Sequence, residues 1–295
     1  MDNNYSSSGF ANATYSDIIR DVTTGYLDGL TAGGQLPTLR GISTELVNRT
    51  AHAVDAHNPE CPKTRRLPVP HRLSPTQIAD AILKVRHVVR VCDNDSADGG
   101  DLLAVCQEEG PDKGTYVSTE EAFDQMSQEM DYTIGIKGKK EVRERLFQEA
   151  ERATPCSDPD LVAVNNGIFD YKNKTLLPFS PGHVFLSKSR VDYVENPANP
   201  AITNPDGTVW DVESWMAGLS DDPEIVGLLW EIMGAVIRPN VRWDKSAWFC
   251  SSSGCNGKGT LCELMRGLCG NSASIKLSDF SRDFMMSSLV HASAI

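Results

Sequence analysis

No Cys-x-x-Cys pair occurs in this sequence, and none of its eight cysteines has a histidine at zinc-ligand spacing. A metal site built on cysteine is therefore not expected. Cys61, Cys92, Cys106, Cys156, Cys250, Cys255, Cys262 and Cys269 are expected to be free thiols. Long hydrophobic runs are also missing. The longest, residues 225–237, is broken by Glu231 and falls short of the ~20 residues that a bilayer requires. The first twelve residues carry neither a basic nor an apolar block, so no signal peptide is expected. These absences predict a soluble cytoplasmic chain with no membrane contact. Excess positive charge is lacking too. The net charge is −12, which argues against a protein that coats nucleic acid over its whole surface. There is no internal repeat and no long low-complexity tract.

What remains is a globular composition, 40% hydrophobic and 23% charged over 295 residues, enough for two domains with separate cores. The charge is uneven: residues 235–295 hold seven Lys or Arg against four Asp or Glu. Any nucleic-acid contact is therefore expected to be local. Residues 15–30 and 44–57 have helical texture. Pro59, Pro62, Pro68 and Pro70 then mark a linker over residues 58–71. Ser74, Pro75 and Gln77 form a capping box ahead of Ile78, Ile82, Val85 and Val89, which predicts a helix over 74–90. Ser118 and Glu121 repeat that logic for 118–130, and 139–153 is a third, highly charged helix. After Pro155 the spacing predicts short strands at 161–164, 167–171 and 175–177, and a loop at 196–207. Asp222 and Pro223 open a helix over 222–236 with Ile225, Leu228, Leu229, Ile232 and Val236 as its buried stripe. The expected fold class is mixed α/β, with three parts. Residues 1–73 are a helical segment and linker. Residues 74–240 are a mainly helical accessory domain with a small antiparallel sheet. In residues 241–295 the glycine-rich run at 254–260, ending in Lys258, Gly259 and Thr260, points to the first part of a P-loop, AAA+-like ATPase domain.

The chemistry concentrates near residue 254. Residues 247–250 are an apolar run of strand type. Small polar residues follow, then Gly254, Cys255, Asn256, Gly257, Lys258, Gly259 and Thr260. Leu261, Leu264, Met265 and Leu268 then keep helical spacing up to a stop at Gly270. Strand, glycine-rich loop, lysine and helix is the context of a phosphate-binding loop. Small residues let backbone N–H groups wrap phosphates, the helix start adds positive dipole, and Lys258 would meet the β- and γ-phosphates of ATP. A hydroxyl after the lysine usually binds Mg²⁺. Here Gly259 takes that position and the hydroxyl moves to Thr260, while Ser252 stands where the first glycine is usual.

Gly254–Thr260, read as GCNGKGT, resembles the loop of superfamily 3 helicases of phage and plasmid type. Val164-Asn165-Asn166-Gly167-Ile168-Phe169-Asp170, followed by Pro178-Phe179-Ser180-Pro181, is similar to the N-terminal domain of poxvirus-type primase–helicases. Trp215-Met216 and the helix at 225–234 resemble the stretch before the ATPase of that family. The resemblance runs from about Ser74 to the end. It implies an ATP-driven DNA helicase that forms a homo-oligomeric, hexameric ring on single-stranded DNA, with ATP and Mg²⁺ as cofactors and a link to priming. It also implies an acidic strand and an arginine finger beyond Lys258. The run 289–295 falls where that strand would begin, so a truncated core, inactive alone and without a complete catalytic set, is expected.

Two other functions share these residues. Gly-Lys-Gly-Thr also occurs in small nucleotide kinases, but those carry it near the N-terminus. A non-catalytic accessory or oligomerisation module with a vestigial nucleotide site is the other. Elsewhere the plainer expectations hold. His52 and His57 beside Asp55 are placed at the surface, and His71, His87, His183 and His291 have no partners that suggest catalysis. Asp221-Asp222 is a helix cap, residues 137–140 are a solvated turn, and Trp210 and Trp215 are core anchors.

Overall fold

The computed structural model describes residues 14–30, 36–92, 101–241, 243–251, 254 and 256–279. Among the described residues the fold is mixed α/β with three small sheets, and the chain divides into two units. One comprises residues 1–106 and 117–154, the other residues 107–116 and 155–295. The division does not follow the expected boundaries at 73 and 240.

The first unit opens with α1 (Tyr15–Leu30) and α2 (Leu39–His57), joined in one core by α3 (Pro75–Val85). Helix α2 begins five residues earlier than its sequence texture suggests. The Thr38 side chain accepts from the Gly41 N–H and caps it there, which buries Leu39 and Ile42. The capping box at Ser74 and Gln77 forms as expected. Gln77 is nevertheless buried, and its Nε2 donates to the hydroxyls of Thr23 at 3.2 Å and Thr50 at 3.1 Å. Those hydroxyls donate in turn to Ile19 O and Leu46 O, so the network that ties three helices together is satisfied.

The helix expected over 74–90 stops at Val85, and Val88–Val91 forms strand β1. Three of its four residues are valine, and it gains partners on both sides. It pairs antiparallel with β2 (Leu102–Cys106), and in parallel with a strand at Glu151–Ala153. Cross-strand pairing here overrides the helical spacing of Val85 and Val89. The short β3 (Tyr116–Val117) precedes α4 (Glu120–Met130). The cap of α4 is Thr119 without a side-chain bond, so the box expected from Ser118 and Glu121 does not form. Helix α5 (Ile136–Glu149) starts three residues early and takes in residues 137–140, expected as a turn. Its expected end is instead strand β4, Glu151–Ala153. The sheet order is β3-β2-β1-β4.

His57 is a further correction. It lies 5% exposed, with Nε2 3.2 Å from Cys61 Sγ, because the turn Asn58–Glu60 closes over the end of α2.

In the second unit β5 (Leu161–Val164), β6 (Gly167–Asp170) and β7 (Thr175–Leu177) make the expected antiparallel meander, with Val164 opposite Gly167 and Ile168 opposite Leu177. The stretch 196–207, expected as loop, contributes β8 (Ala201–Thr203), which pairs with β9 (Val209–Asp211). Asp211 then caps α6 (Val212–Ala217) in a box with Ser214. Asp222 caps α7 (Pro223–Ile237) by accepting from Glu224 N–H. The stripe expected on α7 is corrected. Leu229 and Met233 are buried against Met216, while Ile225 and Leu228 are about half exposed. Trp215 packs in that cluster, but Trp210 is 37% exposed and anchors no core.

One expected strand is missing. Residues 247–250 carry no regular structure, although Phe249 packs beside Met216 and Leu229. After α8, Leu277–Asp279 is a 3-10 turn. The final run at 289–295, His291 included, lies outside the described residues. Among those described, no helix is long and apolar enough to cross a membrane.

Candidate nucleotide-binding site

Helix α8 runs over Lys258–Leu268, with Gly257 as its N-cap at φ +84°. That left-handed conformation suits only glycine at low cost. Space demands it as well. A Cβ on Gly257 would stand 2.6 Å from Leu219 Cδ2 and 3.9 Å from Trp215 Cζ2. The cap therefore turns sharply against the packed end of α6, and Lys258 becomes the first helical residue.

Three features of this turn suit phosphate. The first intrahelical bond among these residues runs from Leu261 N–H to Gly257 O at 2.9 Å. Helix geometry then leaves the N–H groups of Lys258, Gly259 and Thr260 without intrahelical acceptors. The first turn has no acidic side chain, so the positive end of the helix is not offset locally. Lys258 itself is half-buried, and its Nζ donates to Asn256 Oδ1 at 2.6 Å. An ammonium has two further protons to offer. Gly254, Gly259 and Thr260 are exposed, and Cys255 and Ser252 lie outside the described residues.

The helix is fixed at both ends. Leu261, 2% exposed, packs with Met216, Leu229 and Met233 just behind the first turn. At the other end Ser189 Oγ donates to Leu268 O at 2.6 Å. Gly270 lies so close to the chain at Lys188 that a Cβ would come within 2.6 Å of its carbonyl oxygen. The stop expected at Gly270 is thus a matter of close approach, since the C-cap is Cys269 in an extended conformation. Lys188 is buried with Nζ on Lys113 O at 2.8 Å. Burial, with Arg190 beside it, lowers its pKa below the usual lysine value.

The sequence located the loop and the start of the helix, but the strand expected before the loop does not form. It marked Trp215 as a core anchor without tying it to α8, and gave no sign of Leu219 or Ser189, which reach α8 from distant parts of the chain. The donor set fits the phosphates of a nucleotide: one ammonium and a row of helix N–H groups, with no acidic side chain in the first turn of the helix. For Mg²⁺ the Thr260 hydroxyl is the ligand on offer, with phosphate and water oxygens to complete the shell. Among the described residues no group of three His, Cys, Asp or Glu could hold a metal by itself.

Residues 79–224 match the family described as D5 N terminal like. That stretch, from α3 to the first turn of α7, is thus similar to a domain found in primase–helicase replication proteins. The segments at 164–170 and 178–181 fall inside it, and the Gly254–Thr260 loop lies after it. The comparison with curated proteins gave no match.

Proposed function

We propose that this chain carries the ATP site of a phage- or plasmid-type replicative helicase, in which ATP hydrolysis drives the unwinding of DNA. One observation carries the reading. Lys258 is the first residue of a helix capped by a left-handed glycine, and it follows a D5 N-terminal-like domain in the chain. In this account the Lys258 ammonium leaves Asn256 for the β- and γ-phosphate oxygens. The N–H groups of residues 258–260 hold the same phosphates, and Thr260 offers its hydroxyl to Mg²⁺. Bound ATP supplies the free energy of its terminal phosphoanhydride bond. The wider assembly is a homo-oligomeric ring on single-stranded DNA.

Calorimetry tests this. Lys258→Ala should weaken ATP binding roughly 10- to 150-fold, the worth of about 1.5–3 kcal/mol for a bond to a charged group. Thr260→Ala should matter only with Mg²⁺ present. Equal ATP affinity in wild type and Lys258→Ala refutes the site. A second reading, a non-catalytic accessory or oligomerisation module, is favoured by the lack of a strand at 247–250. Absence of any ATP binding by the wild type selects it.

A further inference from the structure

Residues 61–72 contain Lys63, Arg65, Arg66 and Arg72 and no carboxylate, in a chain whose net charge is −12. All four side chains are exposed. Several other cations of the same unit are paired with carboxylates: Arg49 with Glu45, Lys84 with Asp28, Arg143 with Asp124, Arg152 with Asp101. Among the described residues no ion pair joins any of the four to a carboxylate. The nearest acid in sequence, Glu60, precedes the segment and leaves it strongly positive.

The segment is also held in place. The Asn58 carboxamide clamps Leu67, accepting from its N–H at 2.7 Å and donating to its carbonyl at 3.0 Å. Leu67 and Val69 pack on Ile18, Val22 and Val54 of α1 and α2. A 3-10 turn at Lys63–Arg65 and the prolines at 62, 68 and 70 restrict the rest. A positive strap on a fixed backbone loses less entropy on binding than a loose tail would. Three of its four cations are arginine, whose fork meets phosphate oxygens in pairs.

We propose that residues 61–72 form a binding surface for the phosphodiester backbone of nucleic acid, without regard to base sequence. The choice of nucleic acid over other polyanions rests on the replication-type domain that begins at residue 79. The surface itself makes no use of Lys258. Attraction between the strap and a polyanion acts through counterion release, so salt dependence is its signature.

The experiment is fluorescence anisotropy of the full chain, without ATP, on a labelled DNA single strand and on the matching duplex, titrated with salt. Four phosphate contacts predict a slope of log K against log salt of about −2.8 on the single strand and about −3.6 on the duplex. The larger affinity at one salt concentration tells which form is preferred. The variant Lys63→Glu/Arg65→Glu/Arg66→Glu/Arg72→Glu should lose at least tenfold in affinity and most of the slope, with an unchanged melting temperature. If that variant folds poorly, Arg66→Ala and Arg72→Ala should each reduce the single-strand slope by about 0.7. The fourfold Glu variant should bind ATP as wild type does, which separates this surface from the nucleotide site. No DNA binding by the wild type at low salt overturns the proposal. So does an unchanged slope in the substituted chains, or tighter binding of polyglutamate than of DNA.

Discussion

The Lys258 ammonium lies 2.6 Å from the Asn256 carboxamide oxygen, two residues before it in the loop. The contact holds the lysine near the start of α8 and uses a neutral acceptor, from which a phosphate can displace it. Asn256→Asp replaces that acceptor with a carboxylate, which holds the ammonium harder and repels phosphate. It should weaken ATP binding about tenfold or more, while Asn256→Ala should cost less, because it removes an acceptor that phosphate displaces in any case and adds no negative charge. Calorimetric titration of the two variants checks the order. Stronger binding in Asn256→Asp than in Asn256→Ala refutes this role for Asn256.

Gly257→Ala should destabilise the second unit by about 1–2 kcal/mol from the left-handed backbone alone. The clash with Leu219 Cδ2 adds to that. The double variant Gly257→Ala/Leu219→Ala should recover the steric part only, and a chemical denaturation series measures both. A Gly257→Ala chain as stable as wild type contradicts the left-handed cap.

Gln77→Ala removes a capping-box partner and the link between the Thr23 and Thr50 hydroxyls. About 2 kcal/mol of stability should go from the first unit. Because the site on α8 lies in the other unit, ATP affinity at low temperature should stay as in wild type. Urea unfolding, with ATP titration alongside, reads both outcomes.

How far these features could be read from the sequence depended on how local their causes are. The box at Ser74 and Gln77, the cap at Asp222 and the meander of β5 to β7 rest on residues a few places apart, and all three form. Val88–Val91 could not be recognised as a strand, because its partners at 102–106 and 151–153 are remote. On α7 hydrophobicity alone placed Leu228 inward, whereas the packed positions are the ones that meet Met216 and Leu261. His57 looked like a surface residue beside Asp55 until the following turn covered it. Within the candidate site the glycines and Lys258 were plain from the sequence. Leu219, which makes Gly257 indispensable, was not. The four cations at 63–72 were visible too, but prolines alone made that stretch look like a mere linker.

A pH titration of stability probes the cap of α6. The N–H and then the hydroxyl of Ser214 hold the Asp211 carboxyl below its usual pKa. A lowered folded-state value means that its contribution is complete above the unfolded-state pKa. It is lost as pH falls through the folded one, so the loss begins below about pH 4. Asp211→Asn keeps a capping oxygen without the titration. It should flatten that part of the stability curve, which thermal melts at stepped pH can follow. An equal acid loss in the variant contradicts the assignment.

The most direct test of the nucleotide site is hydrogen–deuterium exchange across residues 254–264, with and without ATP and Mg²⁺. The account predicts slowed exchange in the first turn of α8, centred on the N–H groups of Lys258, Gly259 and Thr260. The protection should be lost in Lys258→Ala and absent with AMP, which lacks the β- and γ-phosphates. Saturating ATP that leaves exchange in this turn unchanged, or protects it equally in Lys258→Ala, would contradict the account.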